Sequence, residues 1–430
     1  MITQHQPMFS VLLPTKDRLE LLQEAISTVT RQKFQSWQIV VSDNASKSDI
    51  KSYVDSLSDK RIKYIRSDEP LSVTENWNKA TEAADGEWIV MLGDDDGLTP
   101  NYFERMFSYI NQLDKPDLIY HGAYHLAFPN VLTSYPNGAL IDVTVMQPIF
   151  DNRYMPCMLP KDEAEKIVRA ALDMRLSFSF NMQYFLFRRT FLMRLKEYGP
   201  VFQGPYPDFY LSNLSFLKAE KIGLLPFPMT IIGISPKSYG YFHFNNDEKG
   251  GISFLANVEY AKYANTELKN ALLPGNEMNS QWLVSVAKVS HHLPEKNLKL
   301  GIKRYRLLQV ISYMFRPRPS KTSALRSLIE MSPMLSLIEK IQCVLIAIVA
   351  VIAWPMIRLF KRDQYDFFLK LAGQYKSRKK FFLQLIVFIT AKILFRETTL
   401  LWQHKLLDNK VKSVTDAYLK ISQLNGNVDE

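Results

Sequence analysis

The chain has 430 residues, 47% of them hydrophobic, and a formal net charge of +10. This is too long for one ordinary domain and apolar enough for a real core, so two or three units are expected. Two distant cysteines, Cys157 and Cys343, exclude a disulfide framework and a zinc spacing, and with no basic, apolar leader in MITQHQPMFS they favour a reducing, cytoplasmic setting. The basic balance points to anionic partners: phosphorylated ligands, nucleic acid or an acidic membrane face. No basic motif with interleaved stacking residues supports nucleic acid.

The first elements alternate short apolar runs with amphipathic stretches. FSVLLPT (Phe9 to Thr15) predicts a buried strand, and LELLQEAISTVTRQ a helix. WQIVVSD (Trp37 to Asp43) predicts a second strand, followed by the helix SDIKSYVDSL with Ser48 as N-cap. RIKYIRS is a third strand, SVTENWNKATEAAD a helix ended by Gly86, and EWIVMLG a fourth strand. TPNYFERMFSYINQL is a helix with Pro100 near its start, and DLIYHGAYHL a fifth strand. This rhythm predicts an α/β, doubly wound, mostly parallel sheet, whose ligands bind beyond the carboxyl ends of the strands. Asp43 and the triplet Asp94, Asp95 and Asp96 fall at such ends.

The triplet in EWIVMLGDDDGLTP sets three like charges beside an apolar strand. Hard cations such as Mg²⁺ or Mn²⁺ take one or two carboxylates and complete their shell with water and phosphate oxygens. The alternative is an acidic decoration of the next helix N-terminus. From about residue 130 to 250 the pattern is irregular and rich in Pro, Tyr and Phe, with one clear helix in PKDEAEKIVRAALDMRL. QGPYPDFYLSNLSFLKAEKIGLLP predicts a loop, a helix and a short strand. The Phe and Tyr residues between Phe178 and Tyr210 read as core rather than as sugar-stacking positions. His291 and His292 read as surface residues, and Trp37 and Trp88 as structural.

FSVLLPTKDR, IVVSDNAS and NWNKATEAADGEWIVMLGDDDGLTP, in this order and spacing, resemble the inverting, nucleotide-sugar-dependent glycosyltransferases of family 2, with the GT-A fold. The resemblance runs from Met8 to His125 and more weakly to about Asn245. It implies a GT-A domain over residues 1–250, with a nucleotide-sugar half (8–125) and an acceptor half (126–250), then a mainly helical region over 251–430. It implies that Pro14, Thr15 and Arg18 lie along the nucleotide and that Asp43 receives the base's ring N–H. Asn76 is a further polar contact, in Glu75-Asn76-Trp77, where the family usually has a basic residue. Asp94 falls on the ribose side and Asp95 on the metal, with Asp96 the ligand if the alignment slips by one residue. His243 is an added metal or diphosphate ligand, and Lys237 and Ser238 belong to a mobile loop near the diphosphate. Asp208 is the general base, although Pro207 replaces the first acid of the family's usual pair. The residue-level alternative for Asp208 is a helix N-cap.

The implied function is transfer of a hexosyl or N-acetylhexosaminyl group to a hydroxyl of a glycan or lipid-linked acceptor, in bacterial surface polysaccharide or lipopolysaccharide synthesis. The donor is a nucleoside-diphosphate sugar, a UDP-sugar by preference, with Mn²⁺ or Mg²⁺ as cofactor. Two alternatives are an inactive scaffold of the same fold and a nucleotidyltransferase, the latter disfavoured because LLPTKDRLELL lacks glycine. In the last third, Ile341 to Ile357 is about 17 residues of apolar chain, at the short end for a spanning helix. Arg358, Lys361 and Arg362 follow it, and a second apolar run, Phe381 to Phe395, follows Lys376, Arg378, Lys379 and Lys380. Peripheral association with the cytoplasmic membrane leaflet is expected, with a spanning helix, a buried helix or a homo-oligomer as alternatives.

Overall fold

The computed structural model describes residues 6–132, 135–144, 147–204, 206–241, 266–274, 277–315, 329, 331–345, 348 and 405–426. The first half follows the expected order: β1 (Phe9–Thr15), α1 (Leu19–Thr30), β2 (Trp37–Asp43), α2 (Ile50–Ser56), β3 (Ile62–Arg66), α3 (Val73–Glu82), β4 (Trp88–Met91), β5 (Gly97–Leu98), α4 (Tyr102–Gln112) and β6 (Leu118–Ala127). β1, β2 and β4 are buried almost throughout, which is why they read as continuous apolar runs. Helix starts carry their own signals. Asp49, not the expected Ser48, caps α2 by accepting from the Ser52 N–H. Ser72 and Glu75 form a reciprocal capping box on α3.

The irregular middle supplies β7 (Ala139–Asp142), β8 (Cys157–Met158), α5 (Lys161–Leu172), β9 (Phe185–Arg188), α6 (Arg189–Leu195), α7 (Pro207–Lys218) and β10 (Ile222–Ile234). β3, β2, β1 and β4 run parallel in that spatial order. β9 lies antiparallel between β4 and β6, and β10 runs parallel to β6. The sheet is therefore mixed, and β10, expected as a short strand, extends over 13 residues. The two faces carry two cores. One is built on Phe9, Val11, Ile39, Trp88 and Phe103. The other is built on Leu12, Val40, Tyr120, Phe185 and Phe216.

Three helices follow: α8 (Thr266–Ala271), α9 (Glu277–His292) and α10 (Ile302–Phe315). Residues 337–345 are also helical, with Cys343 buried against Leu273, Val310, Met331 and Leu335. Of the two apolar runs, only residues 341–345 and 348 are described; the second run and its basic cluster lie outside the described residues. Among the described residues no helix is long and apolar enough to cross a membrane.

The chain then departs from a division at residue 250. β11 (Lys405–Asp408) pairs antiparallel with β7 at the sheet edge, and α11 (Val414–Gly426) packs on α1. Val411, Val414, Ala417, Tyr418 and Ile421 enter the larger core. Gly138 marks the joint: its φ is +88°, and a Cβ there would meet the Val411 carbonyl oxygen at 1.9 Å. The C-terminal segment thus belongs to the body of the first domain. Because Ile421 is buried there, Ile421→Ala is expected to cost about 3 kcal/mol in urea unfolding, with an unchanged m-value. A loss below about 0.5 kcal/mol, the size of an ordinary surface substitution, would place α11 outside the cooperative unit.

Candidate active site

The parallel register assembles the site. Thr15 stands opposite Asp43, and Leu12 opposite Met91, so the ends of β1, β2 and β4 open on one edge. Thr15, Arg18, Asp43 and the triplet converge there. Pro14 is half-buried next to them, opposite Ser42.

The three aspartates are all buried but differ in what they hold. Asp94 accepts from Arg18 Nη1 at 2.9 Å on one oxygen and from Thr15 Oγ1 at 2.8 Å on the other. Arg18 Nη2 also donates to the Lys237 carbonyl at 2.5 Å, joining the motif to the segment after β10. Asp96 accepts three N–H groups: Gly93 at 2.5 Å, Gln183 Nε2 at 2.6 Å and Gly233 at 2.8 Å. Burial, and then Asp95 beside it, raises Asp96 above the usual carboxylate range, and its N–H donors oppose the rise. Asp95 receives a long hydrogen bond, 3.4 Å from the Ser235 N–H, and burial followed by the Asp94 charge lifts it to about 6.

Electrostatics therefore sorts the roles. Asp94 is neutralised by an arginine, and Asp96 is a brace between β4, the Met182–Tyr184 turn and β10. Asp95 keeps the most spare lone pairs and the least compensation. Among the described residues no three His, Cys, Asp or Glu side chains group to hold a metal. Of the three, Asp95 is the carboxylate that could serve a hard cation completing its shell from water and phosphate. Asp96 fits poorly as a ligand, because N–H donors engage both of its oxygens. His243 lies outside the described residues.

Asp43 is fully buried at the end of β2. Burial opposes its charge, but hydrogen bonds from Ser46 and Tyr64, with Arg66 alongside, outweigh that and hold it below the usual range. Tyr64 Oη lies at 2.6 Å and Arg66 Nη1 at 2.7 Å. Arg66 is half-exposed, so it is the partner that an arriving N–H donor can displace. Asn76, expected to contact ligand, is engaged elsewhere. Its Oδ1 accepts from Ser42 Oγ at 2.8 Å and its Nδ2 donates to the Ser42 carbonyl at 3.3 Å, so it braces β2.

Asp208 does not cap α7. Tyr206 is the N-cap residue, no side chain caps that end, and Asp208 Oδ1 is buried without a partner. Burial pushes its carboxyl well up, and Asp96 adds to the rise, which places Asp208 within electrostatic reach of the triplet. Ser238 Oγ donates to the Ser235 carbonyl, closing the turn after β10.

Five participants were missed in the sequence: Tyr64, Arg66, Gln183, Gly233 and Ser235. Only Gly233 left a sign, as a glycine inside a strand run. A Cβ there would meet the Asp95 carbonyl oxygen at 1.8 Å. If Asp96 is a brace, Asp96→Asn presents an NH₂ to N–H donors and is expected to lose about 2–3 kcal/mol of stability. Asp95→Asn is expected to be neutral or stabilising, since it removes a poorly compensated buried charge. Urea unfolding of both variants checks this, and equal losses would defeat the distinction.

Residues 10–131 match the family described as Glycosyl transferase family 2. Over 123 residues the chain is 32% identical to the putative colanic acid biosynthesis glycosyl transferase WcaA of Escherichia coli (strain K12), covering 28% of this chain and 44% of that one. Over 109 residues it is 35% identical to the GalNAc(5)-diNAcBac-PP-undecaprenol beta-1,3-glucosyltransferase of Campylobacter jejuni subsp. jejuni serotype O:2, covering 25% and 35%. The chain thus spans less than half the length of these curated relatives. Among solved structures, S. aureus TarS 1-349 in complex with UDP-GlcNAc is similar with a TM-score of 0.43 and 15% identity, covering 70% of this chain and 90% of that one.

Proposed function

With residues 10–131 a glycosyl transferase family 2 domain, we propose that the chain is an inverting glycosyltransferase that moves a sugar from a nucleoside-diphosphate donor to an acceptor hydroxyl. The observation that carries this is Asp208: a buried carboxylate with an unpartnered oxygen, set beside the aspartate-lined strand ends. As general base, Asp208 takes the proton of the acceptor hydroxyl. That oxygen bonds to the anomeric carbon from the face opposite the diphosphate. The bond to the diphosphate breaks with its electron pair on the diphosphate oxygen, and the anomeric centre inverts. Arg18 sits on Asp94 at the strand edge, where its charge favours a diphosphate. Asp95 is the residue to hold Mn²⁺ or Mg²⁺, which when bound would supply positive charge against the leaving diphosphate.

Asp43 favours a base with a ring N–H. An ionised carboxylate only accepts hydrogen bonds, so uracil, which carries a ring N–H, suits it and cytosine does not. Guanine and thymine carry a ring N–H as well, so of these four bases Asp43 excludes only cytosine, and among the remaining three a UDP-sugar is the donor we propose. The name of the Campylobacter relative specifies a lipid-linked glycan acceptor, and a glycan or lipid-linked acceptor is the reading here.

Two measurements test this reading. In thermal shift, UDP with Mn²⁺ is expected to raise Tm, CDP is not, and EDTA is expected to abolish the rise. No shift with any of UDP, GDP, CDP or dTDP would favour a scaffold. Asp208→Asn is expected to lower transfer by about 10²–10⁴-fold while keeping the UDP shift. Loss of both would make Asp208 structural.

Peripheral membrane association is part of the proposal. Leu337, Ile338, Ile341, Val344 and Leu345 recur at helical spacing on residues 337–345, and each is more than half exposed. In sequence these residues lead into the apolar run followed by Arg358, Lys361 and Arg362, a pairing suited to anionic headgroups. Truncation cannot test this, because it would also remove β11 and α11 from the sheet. Full-length Leu337→Asp/Ile341→Asp/Leu345→Asp should instead lose co-sedimentation with vesicles containing phosphatidylserine, at unchanged Tm. Unchanged sedimentation overturns the membrane reading, and a dimer that this triple variant dissociates would assign the face to a second copy.

A further inference from the structure

α7, the helix that carries Asp208, packs against α9, from the helical region after the sheet. Ser285 on α9 donates its hydroxyl to the Tyr206 carbonyl at 3.1 Å. A Cβ on Gly204, where φ is +85°, would meet Ser285 Oγ at 3.3 Å, so α9 sits hard against the loop that delivers the base. One turn earlier on α9, the Trp282 ring meets Phe209 edge-on at 5.9 Å and Phe180 at 5.2 Å. Phe209 follows Asp208 directly and packs on Tyr206 at 4.5 Å.

The polar atoms of this contact are notable for what they lack. Trp282 is only partly buried, yet its indole N–H is sequestered without a partner. Its neighbour Gln281 is 4% exposed and leaves its side-chain carbonyl oxygen unpartnered. Across the site Gln183, which holds Asp96 with its amide nitrogen, leaves its carbonyl oxygen unpartnered too. Native proteins rarely leave such atoms unsatisfied, because each costs roughly 1–3 kcal/mol. Trp37 and Trp88 also have unpartnered indole nitrogens, but both are buried members of the core under β1, and the Arg61 guanidinium covers the Trp37 ring at 3.7 Å. The α9 pair differs in place: Trp282 is only partly buried, and the preceding residue in the helix carries an unpartnered acceptor.

A pyranose ring matches that set. It offers an apolar C–H face to an aromatic ring and a rim of hydroxyls that both donate and accept. We propose that Trp282 and Gln281 form the acceptor-sugar subsite. The Trp282 ring packs on the acceptor pyranose and its N–H donates to one hydroxyl, while the Gln281 carbonyl oxygen accepts from another. The subsite thereby turns a further hydroxyl toward Asp208. This rests on the reading of Asp208 as the base. It also gives α9, which lies outside the matched family segment, a direct part in acceptor choice.

The test uses full-length protein carrying 5-fluorotryptophan, read by ¹⁹F NMR. The chain has six tryptophans, and Trp282→Phe assigns the resonance. The probes are UDP with Mn²⁺, then methyl α- and β-glycosides of glucose, galactose, N-acetylglucosamine and N-acetylgalactosamine added on top. At least one glycoside is expected to move the Trp282 resonance saturably, with UDP alone leaving it in place. Gln281→Ala should weaken that glycoside about tenfold while retaining the Trp282 signal and the UDP thermal shift. No movement with any glycoside on UDP-bound protein overturns the subsite and leaves the donor reading standing. A glycoside response in protein that binds no nucleotide does the reverse.

Discussion

Three adjacent carboxylates buried at one strand end are the constraint on which this fold turns. Uncompensated, such a set would be too costly to hold, since each buried charge must be paired or hydrogen-bonded. The chain meets the cost from three directions. Arg18, at the start of α1, takes Asp94. Gln183 and Gly233 take Asp96, and Ser235 leans on Asp95. Each of the last three comes from the irregular half of the sequence. Neutralising the triplet is therefore the same act as joining the first half of the domain to the segment from Gln183 to Ser235. The glycine at position 233 follows from this, because the β10 backbone must touch the backbone of Asp95.

The return of the C-terminus has a mechanical consequence. α10 ends at Phe315 and β11 begins at Lys405, so described chain on both sides of this stretch belongs to one body. Helical residues 337–345 are held to that body from one side through Cys343, while their other side shows apolar residues. A surface contact made by that face is thus made at a fixed distance from the sheet. For an enzyme acting on a membrane-bound acceptor, this would set how far the base stands from the lipid.

What could be read in advance was what local chain chemistry determines. Buried parallel strands announce themselves as apolar runs, so β1, β2 and β4 were legible, and their carboxyl ends located Asp43 and the triplet. Asp208 was singled out through the resemblance, which implies an acidic motif just before a helix, with Pro207 in place of its first acid. The differences among Asp94, Asp95 and Asp96 were not legible, because identical neighbours in sequence acquire different side-chain and backbone partners through residues 76 to 140 positions away. The hydrogen bonds of Asn76, on α3, to Ser42, on β2, were not legible for a similar reason, since they form only when helix and strand pack. β11 escaped notice because four residues of strand and one modest helix carry little periodic signal, and their pairing to β7 is non-local.

The unpartnered oxygen of Asp208 ties stability to chemistry. A cap would have been the cheaper use of an acid at that position, since the first turn of a helix offers free N–H groups. Tyr206 leaves the cap without a side-chain hydrogen bond, and Asp208 takes none of the N–H groups with Oδ1. Burial and the nearby Asp96 raise its proton affinity, which is the direction a base requires, while the same terms disfavour its ionised form. A divalent cation held by Asp95 would favour the carboxylate, and the diphosphate bound with it would oppose that gain.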